Sequence, residues 1–526
     1  MRPKVVVAEA IAAAGVERLR ETCDVDLAVG ADRADLIARL ADAHGLVVRS
    51  ATDVDREMIL AAPDLRVIGR AGIGVDNIDL KTATERGVLV VNAPYANTIS
   101  AAEHTMALLL SQARHVPAAH STLTGGRWDR KSFQGVELHG KTLGVVGLGK
   151  IGTLVAQRCL AFGMRLLAYD PFVSADRAKR MGVDLVDLDE VLAEADFITV
   201  HLPKTKETAG LLGAEALSRC KPGVRIVNTS RGGIIDEDAL AEAIVSGRVA
   251  GAALDVFATE PTTESPLFGL PQVVVTPHLG ASTAEAQDKA GTDVADAVAS
   301  ALGGDLVLTA VNVDLGHEVA DEVKAYLPLA EQLGRAFVGL SQSLSGRLRV
   351  RAEGRIAAFE MRPIQLAVLK GALQAVSSGP VSYVNAPAMA EARGTGVDME
   401  TSEESVAYVS TLRVSSVDAG SQVSLAGTVA RKGPMMVEIL GHEVELPFSP
   451  HVLIVRNSDT PGVIGRVGTF LGERGVNIAN MVVGRSPLTG QAAMMGLNLD
   501  QPLSGEQLDQ MRSLEGIEEA RYLDLS

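Results

Sequence analysis

Gly147-Leu148-Gly149-Lys150-Ile151-Gly152 lies between an apolar run, Leu143 to Val146, and a helical stretch, Thr153 to Phe162. Strand, tight turn and helix in direct succession are the opening unit of a dinucleotide-binding sheet. Gly147 permits the turn, Gly149 lets backbone amides approach a pyrophosphate with no side chain between, and Gly152 lets the helix pack close to the strand. The loop amides, those of Lys150 and Ile151 among them, and the helix N-terminus then attract the negative phosphates. A second apolar run, Leu166 to Tyr169, ends in Asp170, 18 residues after Gly152, where such a fold needs a carboxylate for the adenosine ribose hydroxyls. Asp170 would repel a 2′-phosphate, and Pro171 and Phe172 offer no arginine to neutralise one, so the expected cofactor is NAD rather than NADP.

With 526 residues the chain is too long for one core, and about three or four domains are expected. Its 47% apolar and 22% charged residues suit an ordinary soluble protein, and a net charge of −16 without a basic stripe argues against a nucleic-acid partner. Cys23, Cys159 and Cys220 sit in unrelated segments without metal-ligand spacing, which reads as buried thiols in a reducing cytoplasm and no metal site. No signal-peptide pattern opens the sequence and no apolar run reaches membrane-spanning length, so a cytoplasmic protein without a membrane partner is expected.

From Lys4 to about Val91, short apolar runs (Val5 to Ala8, Gly45 to Val48, Arg66 to Gly69, Val88 to Val91) alternate with helical patterns such as Asp32 to Ala41, as in a parallel sheet covered by helices. A long helix, about Ser100 to Gln112, and a loop with Gly125-Gly126 lead to the glycine-rich strand. The alternation continues through Phe197 to Val200, Arg225 to Val227, Gly251 to Val256 and Val273 to Thr276, and an apolar stripe in Ala290 to Leu302 marks a helix that can cross back to the first domain. Beyond Gly316 the character changes: Glu318 to Leu340 reads as an amphipathic helix, and Leu348 to Ala352 and Val406 to Leu412 as strands. No cluster of catalytic residue types occurs between Glu318 and Pro450, so a spacer or regulatory domain is expected there. The end of the chain reads Val452 to Val455 strand, Pro461 to Glu473 helix, Val476 to Val483 and Ala492 to Leu499 strands, Ser504 to Ser513 helix and Ile517 to Leu523 strand, the ferredoxin-like βαββαβ order.

Three segments place titratable groups at predicted strand ends: Asn228-Thr229-Ser230-Arg231-Gly232-Gly233, Asp255 to Pro261, and Thr276 to Thr283. In an open α/β sheet those ends form the ligand crevice, so all three can meet at one site. Arg231 suits bidentate anchoring of a carboxylate, with a surface ion pair as the alternative. His278 is a candidate proton carrier because its ordinary pKa lies near neutrality, and a nearby Glu260 would orient the imidazole and stabilise its charged form. Asp255 could receive a nicotinamide carboxamide; as alternatives, Asp255 or Glu260 could serve as a turn residue or helix cap.

The run VNTSRGGIIDEDALAEAIVSGRVAGAALDVFATEP at Val227 to Pro261, with TPHLGAST at Thr276 to Thr283 and GLGKIG upstream, resembles the D-2-hydroxyacid dehydrogenase family over Met1 to about Gly316. The resemblance implies catalytic roles for Arg231, Glu260 and His278: Arg231 holds the substrate carboxylate and polarises the reacting oxygen, His278 exchanges the proton, and Glu260 orients His278. It implies cofactor contacts from Gly147, Gly149, Lys150, Ile151, Gly152, Asp170, Thr229, Ser230, Arg231, Asp255, His278, Leu279, Gly280 and Ala281. It also implies a Rossmann domain at 99–283 inserted into a flavodoxin-like substrate domain at 1–98 and 284–316, followed by an α+β intervening domain at 317–450 and a ferredoxin-like domain at 451–526.

Arg49-Ser50 follows one strand of the first domain, and Arg70-Ala71-Gly72-Ile73-Gly74-Val75 another. Gly72 to Val75 would make a backbone nest for a carboxylate, and Arg49 and Arg70 suit a second anion such as a phosphate, unless they are solvated surface arginines. Arg49, Ser50, Arg70, Gly72, Ile73 and Gly74 are therefore the expected substrate contacts. Val452 to Ser526, with Asn457-Ser458-Asp459-Thr460-Pro461-Gly462 and Gly475-Val476-Asn477-Ile478, resembles the ACT domain, an amino-acid-sensing module. With YVNAPAMAEARG at Tyr383 to Gly394, the layout resembles the long-form branch of the dehydrogenase family. That resemblance implies NAD-dependent oxidation of 3-phosphoglycerate to 3-phosphohydroxypyruvate, at the start of serine biosynthesis, with L-serine as feedback effector at Asn457, Asp459 and Asn477. It further implies a homo-oligomer, dimer or tetramer, in which the loop carrying Trp128 packs against a neighbouring subunit and Lys131 approaches a phosphate; packing of Trp128 on its own subunit is the alternative, and both residues stay outside the catalytic set. Two alternatives remain open: a dehydrogenase for another D-2-hydroxy acid, and a non-catalytic NADH-sensing module.

Overall fold

In the computed structural model, which describes residues 2–316, 319–344, 346–417, 423–485 and 492–525, four sheets follow one another along the chain. The first is parallel and five-stranded, in the spatial order Asp24–Leu27, Lys4–Val7, Gly45–Val48, Val67–Arg70, Leu89–Asn92. Its Val-rich inner strands are buried on both faces, which is why they read as unbroken apolar runs. The helix Ala284–Gly303 returns to this sheet and to the helix Ala13–Thr22. The two helices cross so closely that a Cβ on Gly15 would lie 2.5 Å from the Gly291 carbonyl oxygen.

Between them sits the second sheet, seven parallel strands in the order Val273–Val275, Val249–Leu254, Val224–Asn228, Phe197–Val200, Thr142–Val146, Arg165–Tyr169, Asp184–Leu185. The chain leaves Thr142–Val146 to build one half and starts the other half at its neighbour Phe197–Val200, so the glycine loop opens at the topological switch point, where ligands bind in this architecture. The helix Thr98–Ala113 joins the two units and packs on the strands around Val224–Leu254. The helix after the glycines runs Lys150–Ala161, three residues earlier than its apolar pattern suggested, because Gly149 is its N-cap and Lys150-Ile151-Gly152 open its first turn. A further helix, Val116–Thr124, was not legible: it buries none of its residues, so it carries no periodic stripe.

The third sheet is mixed, Gly396–Ser402, Arg347–Gly354, Ser410–Ser416, Ser424–Ala430, Gly433–Ile439, His442–Pro447, and is backed by the helices Asp321–Ser341 and Arg362–Gln374. The expected strand at Val406 to Leu412 begins only at Ser410; Val406 is fully exposed and outside it. Glu318, the expected start of the first of these helices, lies outside the described residues. The fourth sheet is antiparallel, Ile478–Arg485, Ala492–Leu499, His451–Ser458, Ile517–Asp524, with the helices Val463–Glu473 and Gly505–Arg512 completing the βαββαβ order. The protein is thus an α/β fold in which a Rossmann sheet interrupts a flavodoxin-like sheet, followed by an α+β unit and a ferredoxin-like unit. All three cysteines are buried, and burial pushes the Cys159 thiol up to about 12 and that of Cys220 to about 11, leaving both unreactive. Among the described residues no helix is long and apolar enough to cross a membrane.

Candidate active site

At the glycine loop, Gly147 has φ +97°, and a Cβ there would lie 2.6 Å from the His201 carbonyl oxygen. A Cβ on Gly152 would lie 2.1 Å from the Gly147 carbonyl oxygen, whereas one on Gly149 would meet nothing within 4 Å. Two glycines are therefore demanded by the protein, and the middle one faces open space of the kind a pyrophosphate needs. Asp170 Oδ2 accepts the Leu148 N–H at 2.8 Å and Oδ1 the Phe172 N–H at 2.9 Å. Its remaining lone pairs are free to face ribose hydroxyls, so the residues present fit the adenosine half of NAD. The Lys150 ammonium sits 3.1 Å from the centre of the Tyr95 ring, tying the loop to the crossover from the first domain.

The three strand-end segments converge. His278 Nδ1 lies 2.6 Å from Glu260 Oε2, and Glu260 Oε1 accepts the Phe257 N–H at 2.8 Å. The hydrogen bond that His278 donates to the Glu260 carboxylate raises the His278 pKa above its ordinary value against the opposing effect of burial. Burial disfavours the Glu260 charge, but the bonds to His278 and Phe257 outweigh it and hold that carboxyl below the usual range. Because Nδ1 is committed to Glu260, Nε2 is the nitrogen left for a reacting group. His278 has φ +55°, and its own N–H donates to the Asp255 carbonyl oxygen at 2.9 Å. Asp255 is fully buried, and its carboxylate accepts from Leu279 N–H at 2.7 Å, Gly280 N–H at 2.8 Å and the Thr276 hydroxyl at 2.5 Å. In this structure the Leu279 and Gly280 amides thus serve Asp255, and Ala281 follows directly in the same turn.

The Arg231 turn is pinned by Asn228: its Oδ1 accepts the Ser230 N–H and hydroxyl at 3.0 and 2.8 Å, and its Nδ2 donates to the Arg231 carbonyl oxygen at 2.9 Å. Thr229 pairs with Thr105 at 2.6 Å. A Cβ on Gly232 would sit 1.7 Å from the Phe257 carbonyl oxygen, so glycine there lets the Arg231 turn press against the loop that carries Glu260. Arg231 Nε faces Asp76 of the first domain at 3.6 Å, and Gly74 lies against the same guanidinium.

Arg49 and Arg70 join this cluster. Burial, then the nearby Arg231, push the Arg70 pKa down; Glu9 and Asp76 oppose this, and Arg49 adds to it. Its buried Nε has no hydrogen-bond partner among the described residues, and its guanidinium folds over Gly72, where a Cβ would lie 1.5 Å from Nη1. The Gly72 N–H bonds the Arg70 carbonyl oxygen at 2.8 Å and the Ile73 carbonyl accepts from Asn92 Nδ2 at 2.6 Å, so the expected nest is in part an internally bonded turn. The loop holding Arg49 and Ser50 is wrapped around Glu9, whose carboxylate accepts the N–H groups of Arg49, Ala51 and Thr52 at 2.8, 3.2 and 3.0 Å. Asn77 bridges the carbonyls of Arg49 and Thr52 from the other side. Glu9, His104 and Thr105 were missed in the sequence because their partners lie far along the chain.

The three effector candidates do not meet in one chain. Asn457 is opposite Ala493 and Asp459 follows the same strand end, whereas Asn477 bonds Asp500 Oδ2 at 2.6 Å beyond Leu499. Those ends are separated by the length of a strand, roughly 20 Å at about 3.3 Å per residue. Asn457 is also buried, with Nδ2 on the Ser458 carbonyl oxygen at 2.8 Å.

Residues 106–280 match the family described as D-isomer specific 2-hydroxyacid dehydrogenase, NAD binding domain; residues 322–440 match the D-3-phosphoglycerate dehydrogenase intervening domain, and residues 451–516 the ACT domain. A solved structure, the TT0316 protein from Thermus thermophilus, superimposes with a TM-score of 0.54 at 35% identity, covering 59% of this chain and 99% of that one. Another, D-lactate dehydrogenase from Aquifex aeolicus in complex with NAD and lactic acid, gives 0.51 at 29% identity, covering 57% and 96%. By fold and site the chain is an NAD-dependent oxidoreductase of the D-isomer-specific 2-hydroxyacid dehydrogenase class. D-3-phosphoglycerate dehydrogenase of Mycobacterium leprae is 48% identical over 96% of both chains, and that of Archaeoglobus fulgidus 43% identical over 99% of this chain and 100% of its own. The chain belongs to the D-3-phosphoglycerate dehydrogenase family.

Proposed function

We propose that the protein oxidises 3-phospho-D-glycerate to 3-phosphohydroxypyruvate, the first step of L-serine biosynthesis. The observation that carries this reading is the convergence of Arg49, Arg70 and Arg231 beside the His278–Glu260 pair. A substrate with a carboxylate at one end and a phosphate at the other matches several cations around one proton carrier. Arg231 grips the carboxylate and points charge at the C2 oxygen; Arg49 and Arg70, with the turn at Gly72, Ile73 and Gly74, take the phosphate end. His278 Nε2 accepts the hydroxyl proton as the C2–O bond becomes a carbonyl, and Glu260 stabilises the imidazolium so formed. Bound NAD supplies the acceptor for the hydride leaving C2. Gly147, Gly149, Lys150, Ile151, Gly152 and Asp170 would hold its pyrophosphate and adenosine, and Thr229, Ser230, Asp255 and the turn through Ala281 its nicotinamide end. His278→Ala should abolish turnover while NADH still binds; near-normal turnover would refute the proton-carrier role.

The same reading takes residues 1–98 and 284–316 as the substrate domain, 99–283 as the cofactor domain, 317–450 as the intervening domain and 451–526 as the effector domain, in a cytoplasmic homo-oligomer. L-serine is the proposed feedback effector. Because Asn477 and Asp459 lie at opposite strand ends, a serine touching both requires a second copy of the chain, for which a twofold dimer is the simplest arrangement. The exposed Trp128, beyond a helix with no buried residue, gives such copies a further surface to share. Calorimetry on the intact protein tests this: serine binding lost in both Asp459→Ala and Asn477→Ala supports it, and no serine binding to the wild type overturns it.

A further inference from the structure

His104 lies mid-way along the helix Thr98–Ala113, remote in sequence from every group assigned to the reaction, yet its Nε2 is 3.1 Å from Asp255 Oδ1 and 3.1 Å from Thr276 Oγ1. The Thr276 hydroxyl donates to the same Asp255 oxygen, and an ionised carboxylate only accepts, so Nε2 is the protonated nitrogen of this ring. Asp255 is fully buried, which makes each of its donors costly to lose. Its Oδ1 collects His104, Thr276 and the Leu279 N–H, its Oδ2 the Gly280 N–H, and its carbonyl the His278 N–H. One residue therefore fixes three consecutive amides of the turn that presents the proton carrier. That turn gains from fixing, because His278 stands at φ +55°, a conformation uncommon for residues other than glycine. The next residue on the helix, Thr105, bonds Thr229 at the base of the Arg231 turn. The same helical turn thus braces both turns of the site.

We propose that His104 is a positioning residue for the reaction: by donating to Asp255 it locks the His278–Gly280 turn, and with it the imidazole, in the geometry for proton transfer. The proposal rests on His278 being the proton carrier. His104 itself touches neither cofactor nor substrate in this account, but Asp255 and the turn it braces stand at the nicotinamide end, so its removal should slow the chemical step and can weaken NAD binding while leaving 3-phosphoglycerate binding in place.

The test compares two polar substitutions. In His104→Gln the side-chain amide reaches as far as Nε2 and can donate the same bond; in His104→Asn it falls short. Steady-state kinetics with NAD and 3-phosphoglycerate should show His104→Asn losing about tenfold to a hundredfold in kcat with KM for 3-phosphoglycerate within about twofold, and His104→Gln recovering most of that loss. Thermal melting of both variants reports folding, and if His104→Asn does not fold, Thr276→Val removes the other side-chain donor to Asp255 and should give the same loss in kcat with KM for 3-phosphoglycerate unchanged. The inference is overturned if His104→Asn keeps the wild-type kcat, if Gln and Asn are equally impaired, or if the loss falls on KM for 3-phosphoglycerate with kcat unchanged. His278→Ala separates the two levels: full turnover in that variant sinks the parent assignment, whereas an inactive His278→Ala beside a fully active His104→Asn sinks only the role of His104.

Discussion

Replacing Glu260 by Gln keeps the shape of the His278 partner and removes its charge. The wild-type contact is 2.6 Å, short enough for a charge-assisted bond, a class that contributes about 1.5–3 kcal/mol. Both side chains are partly open to solvent, 47% for His278 and 32% for Glu260, so the lower part of that range applies. A loss of about 1.5–2 kcal/mol in stabilising the imidazolium corresponds to about ten- to thirtyfold in rate at about 1.4 kcal/mol per tenfold. The bond that His278 donates to the Glu260 carboxylate raises the His278 pKa, so the variant's pKa should fall back. Oxidation requires the neutral ring, and its acid limb should therefore move to lower pH. Reduction requires the charged ring, and its alkaline limb should also move to lower pH, so activity near neutrality drops in that direction. Initial rates across pH in both directions measure this. Limbs that stay in place, with kcat within about twofold of wild type in both directions, would refute the pairing as the device that tunes His278.

The loop glycines separate fold from cofactor: Gly152→Ala puts a Cβ 2.1 Å from a carbonyl oxygen and should cost about 1–3 kcal/mol, seen as a lower melting temperature, while Gly149→Ala meets nothing within 4 Å and should melt normally yet bind NADH at least tenfold more weakly. Asp170→Ala, which removes the carboxylate held by Leu148 N–H, should reduce the preference for NAD over NADP about tenfold or more in kcat/KM, and an unchanged ratio would mean that Asp170 does not set it. Arg49→Ala should lower kcat/KM for 3-phosphoglycerate about ten- to a hundredfold and leave unphosphorylated D-glycerate unaffected, whereas equal effects on both would remove Arg49 from the phosphate end.

What could be read from the chain, and what could not, follows from how far apart the partners lie. The glycine loop with Asp170, and the segments carrying Arg231, Glu260 and His278, were legible because a parallel sheet brings successive strand ends to one edge whatever the details of packing. The close pairing of Glu260 with His278 spans a single strand. By contrast His104 and Asp255 are 151 residues apart, and Glu9 meets its loop across 40, and neither pairing leaves a local pattern. The exposed helix Val116–Thr124 carries no stripe because it buries none of its residues against its own chain. The ferredoxin-like order at the chain's end was legible from alternation, but the separation of Asn457 from Asn477 was not, since it depends on strand direction within the sheet.

The central claim is that the arginine cluster and the His278–Glu260 pair act on one phosphorylated hydroxy acid. It is tested most directly by NADH formation from NAD with 3-phospho-D-glycerate and, in parallel, with D-glycerate and D-lactate. The account predicts turnover of 3-phospho-D-glycerate with kcat/KM at least a hundredfold above either unphosphorylated acid; equal efficiency on all three, or none on 3-phospho-D-glycerate, would contradict it.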